Sequence, residues 1–172
     1  KIHRAIASTA DSELRVEPVT QANDAVGTTR FVDFDTTKPV YTTDASRCHI
    51  SHVTVDSGWE AKLAEVLEDM DEVDRYVKNQ GLGFTIPYTM DGQHRSYYPD
   101  FIAVLPGDLH LIIEVSGAQR RDKEAKVQTT RELWIPAIND HGGFGHWGFV
   151  EITDPWDAKG PIRAQLAATQ GA

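Results

Sequence analysis

The sequence predicts a mixed α/β fold in a single domain, on three observations. SGWEAKLAEVLEDMDEVDRYVKN carries apolar residues at spacings of three and four, the signature of a helix with one buried stripe. YYPDFIAVL and LHLIIEV are apolar runs either side of a Pro-Gly turn, which reads as a strand pair. HWGFVEI, after a Gly-rich break, supplies a further strand. With 172 residues, 40% of them hydrophobic, the chain is long enough for one core and too short for two typical domains.

Residues 1–28 are polar and aperiodic and read as a connector or irregular extension to a domain over residues 29–172. RFVDFDTT and HISHVTVDS alternate as two strands would. A helix follows from Ser57 to Asn79, capped by Asp56 or Ser57, ended at Gly81, and striped by Trp59, Leu63, Val66, Met70, Val73 and Val77. Glu60 sits at the margin of that stripe, where its carboxylate reaches the boundary between helix and sheet; an acidic residue is also favoured in a first turn by the helix dipole. GLGFTIPY leads through the turn signal MDGQ to a strand from Tyr97 to Leu105, and a second strand runs from Leu109 to Val115. A helix from Arg121 to Trp134, the loop DHGGFG, the strand HWGFVEI and a terminal helix from Pro161 complete the order.

Composition narrows the function. No apolar run reaches the roughly eighteen residues of a membrane helix, and KIHRAIAST lacks the apolar stretch of a secretory signal, so the expected compartment is cytoplasmic with no membrane partner. The lone Cys48 forms no internal disulfide, and the spacing of Cys48, His49 and His52 matches no standard zinc site. A start at lysine predicts a piece of a longer polypeptide. The formal charge of −9 argues against a free-standing nucleic-acid binder. Between Val115 and Ile135, however, Arg120, Arg121, Lys123, Lys126 and Arg131 stand against Asp122, Glu124 and Glu132, a local net of +2 that marks Arg120, Arg121 and Lys123 as the candidate DNA contacts. The same cluster also fits the solvated face of a helix. Trp134, Trp147 and Trp156 read as core or interface aromatics, since no basic pattern interleaves them.

The strand pair places carboxylates for metal chemistry. With the turn centred on Gly107, cross-strand partners have numbers summing to 214, so Asp100 opposes Glu114 on one face. Ser116 projects to that face too, and Phe101, Ala103, Ile113 and Val115 point to the other and feed the core. Two opposed carboxylates repel unless a cation or a proton intervenes. An oxygen-only donor set suits Mg²⁺, with Mn²⁺ as its substitute, far better than zinc. An ordinary hairpin with a salt-bridged Glu114 would present the same spacing.

Pro99-Asp100, thirteen intervening residues, then Glu114-Val115-Ser116 resembles the PD-(D/E)XK nuclease motif with serine in the lysine position. The ordered blocks VDFDTTKPVYTTD, SGWEAKLAEVLEDM, YVKNQGLGFTIPY, YYPDF, IIEVSG, LWIPAIN and GGFGHWGFVEITDPW are similar to the C-terminal nuclease region of Res-type helicase-nuclease subunits of type III restriction systems. The resemblance implies a restriction-endonuclease-like core, a mixed β-sheet flanked by helices, and a Mg²⁺-dependent DNA endonuclease. It also implies Asp100 and Glu114 as metal ligands, with Glu60 as a further acidic residue of the site. As partners it implies DNA, an ATP-driven helicase or translocase module elsewhere in the parent polypeptide, and a methyltransferase or specificity subunit, and it leaves room for a homodimer. ATP would belong to that motor alone, because no GxxxxGK[ST] loop occurs here and the DEVD of Asp71 to Asp74 reads as helix surface.

Serine departs from the pattern, because it can hydrogen-bond but supplies no charge. On the following helix Lys123 and Lys126 share the face of Val127, Thr130, Leu133 and Trp134. Lys126, or failing it Lys123, is therefore expected to replace the missing lysine, with Ser116 holding a water or phosphate oxygen. The alternatives are a catalytically silent copy of the fold that binds DNA or docks a partner, and a structural subdomain supporting a translocase.

Overall fold

A four-stranded mixed sheet organises the protein. The computed structural model describes residues 2–6, 16–20, 28–116 and 121–170. In chain order the strands are β1 (Ile2–Ile6), β2 (Val16–Thr20), β3 (Val40–Thr42), β4 (His52–Thr54), β5 (Arg75–Lys78), β6 (Ile86–Met90), β7 (Gln93–Tyr97), β8 (Phe101–Leu105), β9 (Leu109–Val115) and β10 (His146–Ile152). The α-helices are α1 (Gly58–Glu68), α2 (Arg121–Thr129), α3 (Ile135–His141) and α4 (Lys159–Gln170). The main sheet has the order β10-β9-β8-β5. β8 runs antiparallel to both β9 and β5, whereas β10 lies parallel to β9 after the helical crossover. The remaining strands form three antiparallel pairs, β1–β2, β3–β4 and β6–β7.

Side-chain alternation along β9 sends Leu109, Leu111 and Ile113 to one face and His110, Ile112 and Glu114 to the other. The first face packs with Phe101, Ala103, Leu105, Val150 and Ile152 under Leu63 and Leu67 of α1, Met70 just beyond it, and Ile162 of α4. On the second face Ile112 and Phe149 pack with Trp134, Ile138, Ile86, Tyr88 and Tyr97. β8 and β9 are covered on both faces, which is why they read as continuous apolar runs.

Several expectations change. α1 ends at Glu68, so the helix expected to run to Asn79 stops eleven residues early, and Val73 and Val77 leave its stripe. Asp69, Asp71, Glu72 and Asp74 crowd what would be the next turn, where the negative end of the helix dipole disfavours them, and RYVK gains a strand partner in β8 instead. Asp71 to Asp74 therefore form the connection between α1 and β5 rather than a helix surface. RFVDFDTT is not a strand: Thr28 caps a 3₁₀ turn over Thr29–Phe31, and Phe31 stays exposed. In the region expected to be irregular, β1 and β2 pair with each other and lie against β6 and α3 respectively, while residues 7–15 and 21–27 fall outside the described part.

MDGQ is a turn as expected, but it closes a hairpin of its own. Asp91 and Gly92 both have positive φ, 52° and 73°, the pattern of a two-residue turn matched to strand twist. Tyr97 consequently ends β7 rather than opening β8. The helix after the site continues to His141 through a π-helical turn at Thr130–Trp134. Pro136 has no N–H for the carbonyl four residues back, and the wider turn accommodates that loss. Gly142, at φ 70°, caps α3 in the left-handed conformation, so DHGGFG is a helix end leading into β10. Among the described residues no helix is long and apolar enough to cross a membrane.

Candidate active site

The carboxylate pair sits where β8 begins and β9 ends. Phe101 opposes Ile113 in the observed register, so the preceding pair, Asp100 and Glu114, stand opposite one another as the sum of 214 requires. Asp100 is held from two sides. Its carbonyl accepts the N–H of Asn79 at 2.8 Å, and Asn79 Nδ2 donates to the carbonyls of Pro99 at 3.0 Å and Phe84 at 2.8 Å. Its carboxylate Oδ2 accepts the Val115 N–H at 2.8 Å. Asn79 thus ties the Pro99-Asp100 corner to the end of β5, and the strand geometry aims the side chain.

Glu114 is held by Tyr97, whose hydroxyl donates to Oε2 at 2.6 Å. Both carboxylates are half-buried. Burial raises the pKa of Asp100 above the ordinary range; the Val115 N–H pulls it down, and the charge of Glu60 raises it further. For Glu114, burial first and the facing Asp100 second push the pKa up to about 7. Lys126 offsets part of both shifts. Its Nζ lies 5.8 Å from the centroid of the Tyr97 ring and 3.0 Å from Asp122 Oδ2 one turn earlier.

Lys123 takes a different position from its neighbour. It pairs with Glu151 on β10, and Glu151 lies beside Glu114 in the parallel register. Three acidic residues therefore line one face of adjacent strands, Asp100, Glu114 and Glu151, with a lysine of α2 against the last. Ser116 follows β9 with its N–H bonded to the Ile152 carbonyl at 2.9 Å, anchored at the same sheet end. Arg120 lies outside the described residues, as does the side chain of Arg121. Arg131 stands over the Phe149 ring at 5.1 Å.

Glu60 is buried, as the helix–sheet boundary requires, but it faces a lysine rather than the carboxylate pair directly. Its Oε1 lies 3.0 Å from Lys78 Nζ, and its Oε2 accepts the Asp56 N–H at 2.6 Å; the expected cap is not made, because Ser57 stands at the N-cap position with no side-chain hydrogen bond. Lys78 also donates to the Thr54 carbonyl at 2.7 Å, and its charge lowers the pKa of Asp100. Lys78, Asn79 and Tyr97 were not legible as site residues. Lys78 and Asn79 lie in the segment whose apolar spacing mimics a helix, and Tyr97 reads as the first residue of β8. The doublet YYPD, an aromatic pair abutting the motif aspartate, is the one signal that marks Tyr97.

The donor set can be tested for a divalent ion. Among the described residues no group of three His, Cys, Asp or Glu side chains forms a metal cage, and Cys48 is buried in the core away from such a role. Asp100 and Glu114 offer oxygen donors only, both disfavoured as anions by burial; Asp100 Oδ2 accepts the Val115 N–H, and Glu114 accepts the Tyr97 hydroxyl and is also stabilised by the Asp100 backbone N–H. This chemistry fits Mg²⁺ or Mn²⁺, which bind through one or two carboxylates and keep several waters. No protein-family model, curated protein or solved structure matches the chain.

Proposed function

We propose that this chain is a Mg²⁺-dependent DNA endonuclease domain with a restriction-endonuclease-like core, hydrolysing phosphodiester bonds at Asp100 and Glu114. The observation that carries the reading is the opposed carboxylate pair at the end of β8 and β9, with Lys126 over the ring of Tyr97, whose hydroxyl bonds Glu114. Its setting supports the same reading: α1, the strands β5, β8 and β9, the α2–α3 crossover and the parallel β10 follow in the order helix, three strands, helix, strand. The resemblance of the ordered blocks to the nuclease region of Res-type subunits adds the proposed context. In it the motor and its ATP, and a specificity or methyltransferase subunit, belong to partners, and the site acts in the cytoplasm.

The residues divide the work. Asp100 and Glu114 would hold the ion, each with one oxygen already fixed by a protein donor. A divalent ion bound there would polarise a phosphate oxygen and acidify an attacking water. Lys126 supplies the positive charge that Ser116 cannot, and stabilises negative charge developing at the phosphate. Ser116 hydrogen-bonds a water or a phosphate oxygen. Glu60 and Lys78 form an ion pair whose two charges act on Asp100 in opposite directions.

The absence of a lysine at Ser116 favours a second reading, a silent copy of the fold that binds DNA or docks a partner. Plasmid cleavage by the domain at high concentration with Mg²⁺ or Mn²⁺ separates the two. Cleavage by the wild type, lost in Asp100→Ala and reduced at least about 100-fold in Lys126→Ala with the fold retained, is the expected result. Metal-independent behaviour identical in wild type and Asp100→Ala would establish the silent copy.

A further inference from the structure

We propose that Tyr97 is the positioning residue of the site, one side chain that fixes Glu114 through its hydroxyl and seats Lys126 on its ring. The inference rests on the metal-dependent reading above and goes beyond it, because Tyr97 belongs to no part of the motif. It enters from the β6–β7 hairpin, an insertion between β5 and β8 that the helix and strand order does not require.

The geometry sets Tyr97 apart from an ordinary core tyrosine. Its ring is 3% exposed and packed with Ile86, Ile112, Trp134, Ile138 and Phe149, so the hydroxyl position is set by the second core rather than by a mobile side chain. A buried hydroxyl requires a partner. Here the partner is a half-buried carboxylate already opposed by another, and the bond length is 2.6 Å. The hydroxyl occupies Oε2 of Glu114 and limits the rotation of the carboxylate. Lys126, 5.8 Å from the ring centroid, is attracted to the same aromatic face while Asp122 holds it from its own helix. Orientation of the ligand and placement of the cation therefore depend on one residue. Donors behind metal-ligating carboxylates commonly carry about 10- to 100-fold in metal affinity.

Mn²⁺ affinity, measured calorimetrically on the whole chain, tests this with Tyr97→Phe, Asp100→Ala and Tyr88→Phe. Tyr88 belongs to the same core cluster, and among the described residues it is Tyr97 that bonds Glu114, so Tyr88 serves as the packing control. The expected result is wild-type affinity in Tyr88→Phe, none in Asp100→Ala, and about 10- to 100-fold weaker binding in Tyr97→Phe. In cleavage, Tyr97→Phe should raise the Mg²⁺ concentration needed for half-maximal rate more than it lowers the maximal rate. Binding by Tyr97→Phe within about twofold of wild type overturns the proposal while leaving the metal reading intact. Equal binding by wild type and Asp100→Ala overturns both. The wild type offers a readout that survives a poorly folding variant: Mn²⁺ saturation should shift the near-ultraviolet tyrosine absorbance, and no shift overturns the positioning role.

Discussion

Glu114 illustrates how a candidate site taxes the residue that forms it. Its folded pKa of about 7 exceeds the ordinary 4.5, so the unfolded chain ionises first as pH rises. The folded state is therefore progressively disfavoured between those values, the cost being full above about pH 7 and absent below about pH 4.5. Glu114→Gln keeps an acceptor for Tyr97 and removes the charge. In chelator at about pH 8 it should stabilise the protein by on the order of 2 kcal/mol, seen as a raised melting temperature, and the gain should vanish near pH 4.5. No gain at the higher pH would show that the carboxylate is not strained by burial. The Glu60–Lys78 pair makes the opposite case. Both side chains are about nine-tenths buried, at 12% and 11% exposure. Lys78→Met strands a buried carboxylate and should cost about 3 kcal/mol by urea denaturation, with much of it recovered on adding Glu60→Gln.

At the scale of elements, short segments with strong local codes carry the site. The β6–β7 hairpin delivers Tyr97, and its turn depends on Gly92 at φ 73°. Gly92→Ala forces a Cβ into the left-handed region and should lower stability by about 1 kcal/mol in thermal melts, although no neighbouring atom lies within 4 Å of the new carbon. α1 depends on its buried stripe instead. Leu67 is fully buried, and Leu67→Ala should cost about 2–5 kcal/mol, a loss measurable as a lower urea midpoint with an unchanged slope. The α4 pairs Lys159–Asp69 and Arg163–Glu72 are solvent-exposed ties to the end of α1 and belong to the small effects.

For the whole molecule, β9 is the shared wall of both cores. Leu111 and Ile113 belong to one cluster and Ile112 to the other, so neither core can lose its packing while the strand stays in place. Far-ultraviolet circular dichroism and tryptophan fluorescence should report one coincident transition, and Leu111→Ala and Ile112→Ala should lower the same midpoint. Two separated transitions would show that the faces melt independently. The charge of −9 acts at this scale too. On the proposed function it predicts weak duplex binding by the domain alone, weakening further as salt is raised.

How much of this was legible depends on the range of the forces involved. Local rules were enough for the mixed α/β class, for β10 over HWGFVEI, and for the β8–β9 register that opposes Asp100 to Glu114, because turn chemistry and two-residue alternation act within a hairpin. The same spacing rules extended α1 across RYVK, since apolar residues three and four apart look helical until a neighbouring strand competes for their backbone. Pairing of β5 with β8 is a long-range choice, and it is what brings Asn79 to the Pro99-Asp100 corner and Lys78 to Glu60. Tyr97 belongs to the same class: its residue type is plain in YYPD, but only the folding of a separate hairpin over the second sheet face aims its hydroxyl at Glu114. By itself the sequence determined the carboxylate pair, through geometry internal to one turn. The tertiary structure alone decided what surrounds that pair, because donors and countercharges arrive from segments whose meeting depends on burial of the whole sheet.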